Sequence, residues 1–203
     1  MPSVIERASS GRAKCRACGQ VIARGEVRFG EALPNAYGEG ESLFWFHLPC
    51  AAHARPESVL PVLVETSSET LAERAQLEAL AQAGIAQPRL GRILKAERAS
   101  SGRAKCRHCR ELIAQGAWRL SLQMFEEGRF NPIGTIHATC AVGYFGVEPA
   151  RERLSLPSNE LDSAELVEVV QQMREGAAHA LSLPGLAKAP APDAEPESTR
   201  KSS

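Results

Sequence analysis

No apolar run in this sequence approaches the roughly 18–20 residues that a membrane-spanning helix requires, so no membrane partner is expected. The start, MPSVIERASSGRAKC, has no apolar h-region, and a secretory leader is not expected either. Net charge is missing as well. Lys and Arg number 24, Asp and Glu also 24, and the chain as a whole carries no electrostatic sign of a polyanionic partner. His-x-Glu, which zinc deaminases need for their general acid/base, does not occur. The expectation is a soluble, intracellular protein, in the nucleus of a eukaryote or the cytoplasm and nucleoid of a bacterium. In such a reducing compartment the six cysteines favour metal ligation over disulfides.

What the chain does contain is a repeat. The stretch ERASSGRAKCRAC, Glu6 to Cys18, returns as ERASSGRAKCRHC, Glu97 to Cys109. The copies align at an offset of 91 as far as Arg28 and Arg119, and at 90 from His47 and His137 onward. One residue has been lost in the loop between, where loops tolerate it. Each module is small enough that its hydrophobic core needs reinforcement. The expected division is a first module over residues 1–84, a linker over 85–95 and a second module over 96–177. A Pro/Ala/Ser-rich tail, 178–203, cannot bury a core and is expected to be disordered.

Both modules read as the same series of elements. A turn at Gly25 or Gly116 leads into a strand with alternating apolar residues, and SLFWFH or IGTIH supplies a second strand. A loop and then a helix follow. The spacing predicts helices over 67–84, ending at Gly84 with Leu71, Leu77 and Leu80 as its stripe, and over 161–176, ending at Gly176. In the second, Leu166, Val169, Val170 and Met173 share one face. Each helix is expected to pack on its own module.

All six cysteines and two of the five histidines fall into one pattern, written twice. Cys15-x2-Cys18 is followed after 28 residues by His47-x2-Cys50, and Cys106-x2-Cys109 after 27 residues by His137-x2-Cys140. A Cys-x-x-Cys turn brings two thiolates to one ion, and His-x-x-Cys at a helix start adds two ligands from one face of a turn. The sum is a closed tetrahedral Cys3His set, the donor set of structural zinc rather than copper or iron. The expected cofactor is Zn2+, two per chain. With no open metal position and no general base beside either quartet, catalytic residues are not expected. His108, His53 and His179 have no counterpart in the other repeat and are expected at the surface.

The repeated segment is also basic. If the chain is extended as it enters the first ligand, side chains alternate. Cys15 then faces the metal, and Arg12, Lys14 and Arg16 point outward in a row. Arg103, Lys105 and Arg107 repeat the row, and Arg28 and Arg119 on the following strand add to it. Residues 1–30 hold six basic residues against two acidic, and residues 91–119 eight against two, so the neutral total conceals two basic faces. Such a face, with Ser and Gly beside it, suits phosphate oxygens. An ordinary solvated charge run, or the trace of a recent duplication, would also produce it.

At these residues the chain resembles the PARP-type zinc finger, found in poly(ADP-ribose) polymerases and in some DNA ligases and repair phosphatases. The matching elements are ERASSGRAKCRAC, EVRFG and LFWFHLPC, with residues 97–140 matching again. The resemblance implies an α+β fold: two tandem small domains, each a short antiparallel β-sheet with a C-terminal helix around its Cys3His site. It further implies recognition of nicked, broken or ended duplex DNA through backbone contacts and exposed base ends. Phosphate contact would fall on Arg12 and Arg28, and on Arg103 and Arg119. Apolar residues of the loop before each histidine would stack on exposed bases. By residue type these are Leu33, Pro34 and Tyr37, or Met124, Phe125 and Phe130, although the loops do not match the family position by position. The second module also has Thr135 where the first has Trp45. The Lys-x-Asp-Gly of nucleotidyl-transferring ligases is absent. The expected protein is therefore a monomeric, non-enzymatic DNA-damage sensor or repair adaptor, with DNA and repair proteins as partners. The alternative is a zinc-stabilised protein-interaction module that has lost DNA contact, favoured by the loop departures and the neutral net charge.

Overall fold

The computed structural model describes residues 2–35, 38–66, 71, 73–126, 128–156 and 161–182. The fold is α+β, with two tandem metal-binding modules. Each contains a three-stranded antiparallel sheet. In the first, β1 (Val4–Arg7), β2 (Val27–Pro34) and β3 (Glu41–His47) lie in that order; in the second, β4 (Ile93–Arg98), β5 (Trp118–Glu126) and β6 (Arg129–His137) do the same. One rung is shared between them. Glu6 pairs with Arg28 and Arg28 with His47, as Glu97 pairs with Arg119 and Arg119 with His137. The glutamate at the head of the repeated segment is therefore a strand residue, set opposite the strand arginine.

The segment read as a loop between strand and histidine is largely strand in the second module and partly strand in the first. β2 runs to Pro34 and β3 starts at Glu41, while β5 and β6 form a hairpin that closes between Glu126 and Arg129. Backbone pairing continues outward because Leu33 and Met124 keep the extended pattern to the hairpin ends.

The helices depart further from expectation. Immediately after His47 the chain forms α1 (Leu48–Ala54) and α2 (Pro56–Glu65), where a loop was expected. Pro49 and Pro56 occupy first-turn positions, where a missing N–H costs nothing, and Val59 and Leu63 hold α2 to the core. α3 (Arg74–Ala86) continues through Gly84 and ends before Pro88. Residues 67–70 and 72, the expected start of this helix, lie outside the described residues. Gly84 is buried, and a Cβ there would press on Pro56. The stretch 85–95 consists of the end of α3, a 3-10 turn (Pro88–Arg92) and the first residues of β4.

The second module has a 3-10 turn (Ala138–Cys140), the short α4 (Ala141–Phe145) and a further 3-10 turn (Arg151–Leu154). α5 (Ser163–Ser182) follows, capped by Asp162, whose Oδ1 accepts from the Ala164 and Glu165 N–H groups at 2.8 Å. α5 runs through Gly176 instead of stopping there. Any side chain at that position would overlap the backbone of Thr139, so the glycine permits close packing of α5 on the ligand segment. α5 occupies the first five positions of the expected tail, and residues 183–203 lie outside the described residues.

Each module has its own core. One gathers Phe29, Phe46, Leu63 and Leu77, the other Trp118, Leu120, Val169 and Met173. The two are joined by a buried junction. Arg153, fully buried, donates from Nη1 to His53 Nδ1 at 2.9 Å and from Nη2 to the Leu80 carbonyl at 2.6 Å. His53 Nε2 in turn donates to the Ile93 carbonyl at 2.7 Å. The expectation that His53 lies at the surface is thus overturned: it is 2% exposed, because the second module closes over it. Among the described residues no helix is long and apolar enough to cross a membrane.

Candidate metal centres and nucleic-acid face

The structure brings both quartets together. The ligand atoms of Cys15, Cys18, His47 and Cys50 lie within 4.8 Å of one another, and so do those of Cys106, Cys109, His137 and Cys140. In the first site His47 Nδ1 is 3.3 Å from Cys18 Sγ and 3.9 Å from Cys50 Sγ. In the second, His137 Nδ1 is 3.4 Å from Cys109 Sγ and 3.9 Å from Cys140 Sγ. A tetrahedral zinc ion with its usual bond lengths would separate sulfur from nitrogen by about 3.6 Å, between these values. The other ring nitrogen is fixed in the same way in both sites. His47 Nε2 faces the Val21 carbonyl and His137 Nε2 the Leu112 carbonyl, each at 3.3 Å. With Nε2 donating to a carbonyl, Nδ1 is left as the metal-binding atom.

The local fold explains why these ligands meet. After Cys15 the backbone turns tightly, with Gly19 N donating to the Cys15 carbonyl and Cys15 N to the Gln20 carbonyl. The same turn in the second module has Arg110 N on the Cys106 carbonyl. Gly19 adopts φ +77° there and Arg110 φ +70°, so the knuckle imposes a left-handed residue whatever the side chain. His47 and His137 end their strands, and Cys50 and Cys140 follow in the first helical turn.

Electrostatics ask for a cation. In the first site hydrogen bonds from Cys18, and then from Cys50, drive the Cys15 thiol far below the usual range. Hydrogen bonding to Cys15, then Cys18, pushes Cys50 far above it and raises His47 to about 10. In the second site Cys140 lowers Cys106 to about 3, and Cys106 pushes Cys140 well up. Thiolates this close oppose one another's ionisation, and a divalent ion removes the conflict. The donor set, the spacing and the second-shell carbonyls fit zinc at both sites.

The sites differ in cover. Leu94, Gln123 and Leu156 of the second module close over Cys18 and Cys50 of the first. In the second site Cys109 is exposed, and His137 and Cys140 are half-buried.

Residues 6–87 match the family described as "Poly(ADP-ribose) polymerase and DNA-Ligase Zn-finger region". The first module is thus similar to PARP-type zinc fingers over nearly its whole length. Over 137 residues, 61% of the chain, the sequence is 28% identical to poly [ADP-ribose] polymerase 1 from Gallus gallus, and it spans 14% of that protein's length. The second module repeats the finger's ligand set and its Glu-Arg-His rung.

The basic residues separate into three groups. Arg12, Lys14, Arg103 and Lys105 are exposed, without an ion pair to any described residue. Arg16, also exposed, lays its guanidinium over the Phe44 ring at 4.6 Å, and Arg107, half-buried, donates to the Ile133 carbonyl at 2.7 Å. The strand arginines are held most firmly. Arg28 is 7% exposed, bonded to Glu6 at 2.5 Å and stacked 3.5 Å above the Trp45 ring. Arg119 bonds Glu97 at 2.9 Å, and Lys95 joins the same carboxylate at 2.7 Å. Burial alone would raise Glu97, but Lys95, Ser121 and Arg119 hold it below the usual carboxylate range. Sequence reasoning missed these pairs, although Glu6 and Glu97 stood at the head of the repeat.

The apolar candidates are placed differently in the two fingers. Leu33 is half-buried and Pro34 exposed, while Tyr37 lies outside the described residues. In the second finger Phe130 packs edge-on against Phe46 of the first, and Phe125 lies against Phe130 and beneath the Arg55 guanidinium at 3.9 Å. Met124 lines a cleft of about 230 Å³ between the modules with Arg55 and Phe125. The hairpin of the second finger is thus engaged by the first finger. Of the remaining histidines, His108 is half-buried against Gly143, and the His179 side chain lies outside what is described.

Proposed function

We propose that this is a non-catalytic DNA-binding protein whose two zinc fingers hold the backbone of a nicked, broken or ended duplex. The observation that supports this best is the pair of exposed cations beside each closed metal site, Arg12 with Lys14 and Arg103 with Lys105, without an ion pair to any described residue. A folded protein pairs or solvates its basic side chains, and two arginines and two lysines exposed on two metal-anchored segments suit phosphate oxygens. Arg16, exposed, sits next in line and turns toward phosphate by leaving the Phe44 ring, whereas Arg107 is half-buried and held on the Ile133 carbonyl. Arg28 and Arg119 act from behind the row, and reach a phosphate only by leaving Glu6 or Glu97. The likeness to a family that includes DNA-ligase fingers supports the same reading. Four protein ligands at each metal leave no position for substrate, which supports a structural role for zinc.

A zinc-stabilised protein-interaction module is the second reading. It is favoured by the two tethered strand arginines and by the engaged hairpin of the second finger. Charge reversal separates the two. Arg12→Glu combined with Arg103→Glu should abolish DNA binding while two zinc ions stay bound, because both side chains point into solvent. The parent's affinity should also fall steeply with salt as phosphate contacts release counterions. An unchanged titration in the double variant would favour the protein-interaction reading.

A further inference from the structure

We propose that Val21 and Leu112 are the side chains that touch the unstacked base face at a DNA discontinuity, one from each finger. The proposal rests on the DNA-binding reading above. Large aliphatic side chains exposed singly on a surface are common and mean little alone. These two are not placed singly. They occupy the same position in both repeats, 91 residues apart, and are 51% and 57% exposed. The segments around them, GQVIAR and RELIAQ, differ at most positions, yet both place an aliphatic side chain in water at this point.

Their orientation follows from the backbone. Val21 forms an isolated antiparallel bridge with Lys14, and Leu112 forms the same bridge with Lys105. Residues directly opposite one another in such a pair put their side chains on one face. Each aliphatic group therefore stands beside an exposed lysine without an ion pair to any described residue. The two are rigidly placed too. The Val21 and Leu112 carbonyls accept the second ring nitrogen of the zinc-binding histidines, at 3.3 Å in both fingers. A phosphate held by Lys14 or Lys105 would thus bring the adjoining base edge or end against a fixed apolar group.

The residues expected to do this in the second finger are committed elsewhere. Phe125 and Phe130 pack at the junction with the first finger. Leu112 is the exposed aliphatic group that remains on the basic side. Apolar wedges of this size enter DNA by parting base steps, which costs stacking energy in an intact duplex. At a nick that stacking is already weakened, so the same contact favours the discontinuity.

The test is a double variant, Val21→Ser with Leu112→Ser, titrated in zinc-loaded form against a singly nicked duplex and its sealed counterpart. If the parent prefers the nick by about tenfold to a hundredfold, as base contacts of this kind permit, the variant should fall to within about threefold. Sealed-duplex affinity and zinc content should not change. Val64→Ser with Val167→Ser removes equally exposed aliphatic groups away from the basic segments, and should leave the preference intact. Should the serine variant lose zinc, Val21→Ala with Leu112→Ala serves with the same expectation. A parent-like preference in a zinc-loaded variant would overturn the proposal while leaving break recognition standing. A parent that binds neither duplex would instead remove the DNA-binding reading on which the proposal depends.

Discussion

At the scale of single residues, the two zinc sites are alike in chemistry and unlike in access. Cys15, His47 and Cys50 are buried, and Leu94, Gln123 and Leu156 of the second finger lie beside Cys18 and Cys50, whereas Cys109 of the other site faces solvent. A competing chelator attacks through an exposed ligand, so the zinc held by Cys106, Cys109, His137 and Cys140 should leave first. Stopped-flow transfer of zinc to a colorimetric chelator should show two phases of equal amplitude. Cys109→Ser should abolish only the fast one, and a single phase with equivalent sites would contradict the difference in cover. The ligands were legible in the sequence because metal ligation demands fixed residue types at fixed spacing. The partners of Arg28 and Arg119 were not. An arginine on a strand reads as a free cation until the register sets Glu6 or Glu97 across from it.

At the scale of elements, β2, β3, β5 and β6 were read in place but too short in extent, since alternation weakens near a hairpin end while backbone pairing does not, and β1 and β4 were not read as strands. α1 and α2 were hidden by Pro49, Pro56 and Pro61, which look like breakers although the first two sit in first-turn positions. Gly84 and Gly176 were misread as helix stops for a related reason. A glycine ends a helix when it adopts a left-handed conformation, but it also permits two backbones to approach, and sequence does not distinguish these uses. Gly176 provides the test. Gly176→Ala favours the helix by about 1 kcal/mol in propensity, yet a Cβ there overlaps Thr139, beside the ligand Cys140. The clash should win, with a net loss of about 1–3 kcal/mol in denaturant unfolding and faster release of the second zinc. A stabilised variant would show that α5 does not press on the ligand turn as described.

At the scale of the whole molecule, two repeats that look separable in sequence share a buried junction. His53 and Arg153 lie 100 residues apart, and no local pattern announces such a pair. Burial, and then the neighbouring Arg153, lower the His53 pKa to about 3. In the unfolded chain it would titrate near 6.5. Between those values the unfolded state binds a proton that the folded state refuses. Stability is therefore lost as pH falls from about 6.5 toward 3, by at most about 1.4 kcal/mol per pH unit, and this group contributes no slope above that window. His53→Gln keeps an acceptor for Arg153 and a donor for the Ile93 carbonyl without titrating. Its stability should decline less steeply than the parent's between pH 6.5 and 5, with parallel curves above pH 7. The zinc ligands are common to both proteins and cancel in the comparison, so parallel curves throughout would place His53 in water.

The central claim is that the tandem fingers read a discontinuity in duplex DNA through phosphate contacts and an exposed base. Its most direct test is one competition titration of the zinc-loaded protein against a singly nicked and a sealed duplex of the same sequence. A base contact worth about 1–3 kcal/mol predicts tighter binding to the nicked duplex by roughly tenfold to a hundredfold. Equal affinity for the two duplexes would contradict the account, whatever the zinc content.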